Sequence, residues 1–360
     1  MFEWSRRASR SRNGSSIGDT WGRAMSPSGE IDISVVIVNW NTRDLLLSCL
    51  RAITSQDLLA FTSEMIVVDN GSTDGSAQAV RETYSGITLI ENMYPMGFTK
   101  AANQGFMRSQ GRYILLVSPD ATPRERGAVV TMARTLDRDP QVAMVVPRYV
   151  YPDGSFQRMY NGFPTLTSMC LVTSPLLRLR IVRRLPPVKK YFLDDRDFER
   201  PGEVPQPGVA FVLIKRKVLE TVGMLDEQFP VYFSDVDWCL RLAALGSKIL
   251  YLPGVLVVHL RGAATGKMGE HQWIHSTASL VRYFRKHKNG VQTRVLQAAL
   301  VGNLLAEKML LGFGTMRRGH RIGPRYRLID IWRAVRGELP PLEVRATSEG
   351  VERGSSRREP

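Results

Sequence analysis

Five side chains in this sequence could carry group-transfer or metal chemistry, and each stands where a strand or helix is predicted to begin or end: Asp69, Asp120, Asp235, Asp237 and His259. Asp120 closes YILLVSPDA (residues 113–121), an apolar run that reads as a buried central strand. Pro119 has no amide to give a ladder, so the strand must stop and leave the carboxylate at the sheet edge. Ligands of open α/β sheets bind at such carboxyl ends. ATPRERG follows, so Asp120 or Thr122 reads equally well as the N-cap of a helix over residues 124–137. Asp69 precedes a Gly-Ser turn and reads alike as a ligand-facing acid or a turn residue. Asp235 and Asp237 open a helix predicted to begin near Val236, beside Phe229, Tyr232, Phe233 and Trp238. Asp237 reads as an acid offsetting the helix dipole. Asp235 adjoins the aromatic residues, whose apolar wall can hold a carboxylate as a general base. A lone histidine past a strand such as VLVV, the setting of His259, is more often structural than a ligand.

The elements that must position these groups alternate. ISVVIVNWN (33–41) is a strand, and Asn41 or Thr42 can cap the helix that follows. EMIVVDNGSTDGS (64–76) repeats the design and leads into a helix over 76–84. ITLIEN supplies a third strand, MGFTKAANQG a helix entered through Gly97, and VAMVVPRYV a strand after the helix over 124–137. In the second half GVAFVLIKR, KILYLPG and VLVV read as separate strands. Strands alternating with helices of this length imply an α/β fold with a mostly parallel sheet and right-handed crossovers. The first strand is followed by NWNTRD rather than G-x-G-x-x-G, which argues against a nicotinamide or flavin cofactor.

Composition bounds the rest. The chain has 360 residues, 43% of them hydrophobic, enough for one large core or two smaller ones. Its formal charge of +15 implies an anionic partner. The basic residues lack an aromatic-interleaved surface, so nucleic acid is not the expected one. Cys49, Cys170 and Cys239 lack metal-ligand spacing, which argues for buried thiols in a reducing compartment. Residues 1–30 read as a disordered basic arm without a secretory signal and 339–360 as a disordered tail. Residues 156–206 form a basic insertion that suits a phosphate-bearing acceptor or is simply a solvated charged face. Residues 291–338 form a helical extension whose apolar stretch is broken by Arg294, Glu307 and Lys308, so attachment to an anionic membrane surface is expected rather than a span.

The order VVIVNWN, VVDNGSTDGS, GFTKAANQG, LLVSPDA, GVAFVLIKR, FSDVDWCLR and VVHLRGAAT resembles the family 2 glycosyltransferases of GT-A fold, especially their rhamnosyltransferase-like branch. The resemblance covers residues 33–290 and implies a GT-A domain over 31–290, with a donor half at 31–150 and an acceptor half at 151–290. It implies an inverting enzyme that moves a sugar, rhamnose among the options, from a nucleotide diphosphate donor to a lipid-linked or cell-surface glycan. Val38, Asn39, Asn41 and Asp69 match the pocket for the base, and Gly97 and Asn103 match the loop and helix beside the ribose and diphosphate. Asp120 matches the last acid of the Asp-x-Asp element that binds Mg2+ or Mn2+, His259 a residue often close to that metal, and Asp235 the base. Ser118, Ser234 and Pro95 stand where the family usually has Asn, Glu and Asn. Those departures leave a catalytically impaired nucleotide- or glycan-binding homologue as the alternative. The expected location is cytoplasmic, peripheral to the inner face of the cell membrane.

Overall fold

The computed structural model describes residues 31–58, 61–260, 262, 271–312 and 328–339. Its first half runs β1 (Ile33–Asn39), α1 (Arg43–Thr54), β2 (Ser63–Asp69), α2 (Ser76–Thr83), β3 (Thr88–Glu91), α3 (Phe98–Arg108), β4 (Tyr113–Val117), β5 (Ala121–Pro123), α4 (Ala128–Arg138) and β6 (Val142–Val150). The insertion follows as β7 (Tyr160–Asn161), α5 (Leu166–Val172), a 3-10 turn (Pro175–Arg178), α6 (Arg180–Arg183), α7 (Pro186–Phe192), β8 (Gly202–Glu203) and β9 (Gln206–Pro207). Then come β10 (Phe211–Lys215), α8 (Lys217–Thr221), α9 (Ser234–Ala244), β11 (Lys248–His259), α10 (His271–His287), α11 (Gly290–Gly312) and α12 (Leu328–Val335).

All of β1 and β4 is buried. Helices cover both faces of such strands, which is why they read as unbroken aliphatic runs. The sheet has the order β3-β2-β1-β4-β10-β6-β11-β5, with β8 paired to β11. β3, β2, β1 and β4 are parallel, so their carboxyl ends share one edge. β10 runs antiparallel between β4 and β6, and β11 is parallel to β6. This is the α/β architecture expected. A second apolar cluster joins α5, α10, α11 and α12 to Phe229 and Val236 at the approach to α9.

Several local expectations are corrected. KILYLPG and VLVV form one strand, because β11 continues past Pro253 and Gly254 through a register shift against β6, and His259 is its last residue rather than lying beyond it. Asp120 and Thr122 cap no helix: β5 intervenes, and α4 starts four residues later than read, at Ala128 after Gly127. α1 has no side-chain cap, since the Thr42 hydroxyl donates to Asn39 instead. The arm at 1–30 and nearly all of the tail at 339–360 lie outside the described residues.

Candidate active site

Asn39 and Asp69 are register partners at the ends of β1 and β2. Asn39 Nδ2 donates to Asp69 Oδ1 at 2.9 Å and to Ser72 Oγ at 3.2 Å, while Asn39 Oδ1 accepts from Thr42. Asn39 is fully buried, so it acts on a ligand only by aiming Asp69. Asp69 Oδ2 accepts the Ser72 amide at 3.0 Å. Asn41, held at φ 52, accepts the Thr73 amide at 2.7 Å and gives its own amide to Ser72 Oγ. Such left-handed backbone at a non-glycine residue persists only where its surroundings over-determine it, and here the 71–74 loop does so. Val38 is buried one residue before Asn39.

Asn70 was not singled out from sequence. Its Oδ1 accepts the Met96 amide at 3.0 Å, and its Nδ2 reaches the Gly97 carbonyl at 3.4 Å. Gly97 sits at φ 88, ψ 156, a region essentially reserved for glycine, and opens α3 without a side-chain cap. Asn103 faces the protein rather than open space: its carboxamide donates to the Leu225 carbonyl at 2.9 Å and accepts the Leu225 amide at 3.2 Å. Thr99 hydrogen-bonds the carbonyls of Phe229 and Pro230. Side chains and amides of α3 thus tie the 225–230 loop, which leads to α9, to the β-sheet edge.

Asp120 lies three residues beyond β4, and its carbonyl accepts the Leu260 amide at 2.9 Å. β5 pairs antiparallel with β11, opposing Ala121 to His259, and so sets His259 Nε2 at 3.6 Å from Asp120 Oδ1. Gln157, fully buried, completes the arrangement: its Nε2 donates to the His259 carbonyl at 3.1 Å and its Oε1 faces His259 Nδ1 at 2.6 Å. The amide orientation follows from the carbonyl it serves, so Nδ1 carries the proton. Nε2 then directs a lone pair toward a carboxylate. Two electron-pair donors so placed suit a cation between them, and imidazole with carboxylate fits Mn2+ or, with more retained water, Mg2+. Among the described residues no cluster of three or more His, Cys, Asp or Glu forms a complete protein cage. Such an ion would take its remaining ligands from diphosphate and water.

α9 carries the other acids. Asp235 is only partly open to solvent, and its carboxyl is walled in by protein. Burial pushes it up to about 6, against the Val236 amide, which donates to Oδ1 at 2.9 Å. Phe233, just before the helix, is held at φ 70. Burial first, and then the Asp235 charge, push the half-buried Tyr191 phenol of α7 up to about 12. Asp237 is not a surface dipole acid. It is fully buried and meets Arg241 Nε at 2.9 Å, Lys286 Nζ at 2.6 Å and His287 Nε2 at 2.7 Å. Burial would raise its carboxyl, but the bonds from Lys286, His287 and Arg241 hold it below the usual range.

A sheet with parallel β3, β2, β1 and β4 and an antiparallel β10 is that of the GT-A fold. The chain belongs to glycosyl transferase family 2, which it matches over residues 34–223, more than half its length. It is 25% identical over 273 residues to an N-acetylglucosaminyl-diphospho-decaprenol L-rhamnosyltransferase of Mycobacterium tuberculosis, covering 71% of this chain and 86% of that protein. A shorter match, 34% identical over 74 residues, covers 20% of this chain and 24% of a dTDP-rhamnosyl transferase of Shigella flexneri. A mannosyltransferase of Pyrobaculum calidifontis, solved with GDP-Man and Mn2+, shares the fold at a TM-score of 0.50 and 22% identity, over 82% of this chain and 79% of that one.

Proposed function

We propose that this chain transfers a sugar from a nucleotide diphosphate donor, with inversion, to a lipid-linked or cell-surface glycan, and that rhamnose is the sugar. The observation that carries the reading is the contrast within α9. Asp237 is committed to three nitrogen groups, whereas burial leaves Asp235 the more basic carboxylate, up to about 6, with no ion pair recorded among the described residues. A carboxylate of that basicity accepts a proton near neutral pH. The acceptor hydroxyl attacks the anomeric carbon, its proton passes to Asp235, and the bond from that carbon to the diphosphate oxygen breaks. A single in-line displacement inverts the centre. Asp69, aimed by Asn39, with Val38 and Asn41 beside it, binds the base. Gly97 and the first amides of α3 flank the diphosphate. Asp120 and His259 would hold Mg2+ or Mn2+, whose charge stabilises the departing diphosphate. Support for rhamnose is the similarity to the mycobacterial rhamnosyltransferase.

A thermal-shift panel of nucleotide sugars with and without Mn2+ tests this, dTDP-rhamnose first. A donor at a hundredfold excess over its Kd stabilises by about 2.7 kcal/mol. Asp120→Asn should remove the Mn2+-dependent increment and leave metal-free nucleotide binding nearly unchanged. Equal shifts in Mn2+ for variant and wild type would exclude Asp120 as a ligand, and donor binding without any transfer would leave a nucleotide-binding homologue.

A further inference from the structure

Two stretches far apart in sequence carry exposed aliphatic side chains, and one of them sets these among exposed arginines. In residues 175–186, Leu176, Leu179 and Ile181 are 51%, 51% and 72% exposed and alternate with exposed Arg178, Arg180, Arg183 and Arg184. No acidic residue occurs from 154 to 193. On α11, the exposed residues Val291, Val295, Ala298, Val301 and Leu305 recur at spacings of three and four residues. At 100° per residue they fall on about one third of the helix circumference, along roughly 21 Å. That stripe faces away from the first stretch: Asn303, which donates to Thr173 Oγ1 at 3.1 Å, and Glu307, 3.7 Å from Arg178, lie on the opposite side of α11. Four of the sixteen large apolar side chains exposed among the described residues, Leu176, Leu179, Ile181 and Leu185, lie within residues 175–186, so the exposure there is a patch rather than scatter.

We propose that residues 175–186 form one docking face for an anionic lipid bilayer. Anionic headgroups would take the guanidinium groups of Arg180, Arg183 and Arg184, for which no ion pair is recorded among the described residues. The aliphatic tips would enter the headgroup and acyl boundary, as interfacial helices do. Single-stranded nucleic acid would need aromatic stacking platforms, which this face lacks. A second copy would set arginine against arginine. No helix among the described residues is long and apolar enough to cross a membrane, so the contact is along the surface. On the transferase reading, such a surface would also present a lipid-linked acceptor.

The full chain is sedimented with phosphatidylcholine vesicles containing or lacking phosphatidylglycerol. Wild type should pellet with the anionic vesicles and stay in solution with the neutral ones. Arg180→Gln, Arg183→Gln and Arg184→Gln combined should weaken that binding on the order of 100-fold, from the usual contribution of each basic residue at such a surface. Leu179→Ser with Ile181→Ser should weaken it too, and this pair decides the matter should the triple variant fail to fold. Pelleting equal to wild type in the properly folded variants would overturn the proposal. So would equal pelleting with neutral vesicles, or capture by polyuridylate or an acidic peptide in place of vesicles. Nucleotide-sugar thermal shifts should be unchanged in both variants, so failure of docking and failure of the transferase reading are separate results.

Discussion

Asp235 and Asp237 lie on the same turn of α9, and their environments make opposite predictions. Asp235→Asn keeps size and polarity but removes basicity, so transfer should fall on the order of 100- to 10,000-fold with donor affinity nearly unchanged. Folding raises the Asp235 carboxyl to about 6, so the protonated form favours the fold, and that contribution fades as pH rises through about 6. Transfer needs the ionised form, so kcat/KM should climb over the same interval, a limb that Asp235→Asn abolishes. The Asp237 carboxyl is lowered instead. Its contribution to stability is present above the ordinary carboxylate range and is lost as pH falls through its depressed value. Asp237→Asn removes the charge that Arg241, Lys286 and His287 share, and because Lys286 keeps Asp226 and Arg241 keeps the Val222 and Met224 carbonyls it should cost roughly 3 kcal/mol, the low end for a broken buried pair, in urea unfolding. Gln157→Leu frees His259 Nδ1 and its tautomer, and Mn2+ affinity measured by electron spin resonance with nucleotide diphosphate present should drop about 10- to 100-fold. Unchanged affinity would show that Gln157 serves the fold alone.

At the scale of elements, the turn into α3 has the most specific geometry. Gly97 needs φ 88 with ψ 156, and Asn70 holds its carbonyl and the preceding amide in place. Gly97→Ala should therefore destabilise by about 1–3 kcal/mol and weaken nucleotide diphosphate binding, because relaxing the strain turns the first amides of α3. A calorimetric titration matching wild type would show that those amides do not meet the ligand. The same helix, through Thr99 and Asn103, grips the 225–230 loop. Asn103→Ala should lower kcat more than donor affinity, since it acts on the approach to Asp235.

For the whole molecule, the sheet edge and α9 belong to different halves of the chain, joined by β10 between β4 and β6 and by the α3 contacts. Nucleotide bound at the edge should therefore slow amide exchange in residues 225–230 as well as in α3, since local opening of a tied segment follows the stability of what it is tied to. Protection confined to α3 would show the halves to be independent. The helices α10 to α12 pack on Phe229 and Val236, so the C-terminal region buttresses α9 from behind while leaving one face of α11 open.

Sequence alone determined the parallel half of the sheet. The aliphatic runs at β1, β2 and β4, each ending in a polar residue or proline, specify buried parallel strands with Asn39, Asp69 and Asp120 at one end, because hydrophobic period and strand termination are local properties. What only the tertiary structure decided was partnership. Nothing near Asp237 in sequence announces Lys286 and His287, some fifty residues on in α10, so a buried ion network read as a dipole acid. Gln157 carries no charge and stands 102 residues from the histidine it orients. The family resemblance set Asn103 beside the ribose and diphosphate, whereas its carboxamide serves the Leu225 backbone, a hydrogen-bond accounting that can be done only once the loop is in place.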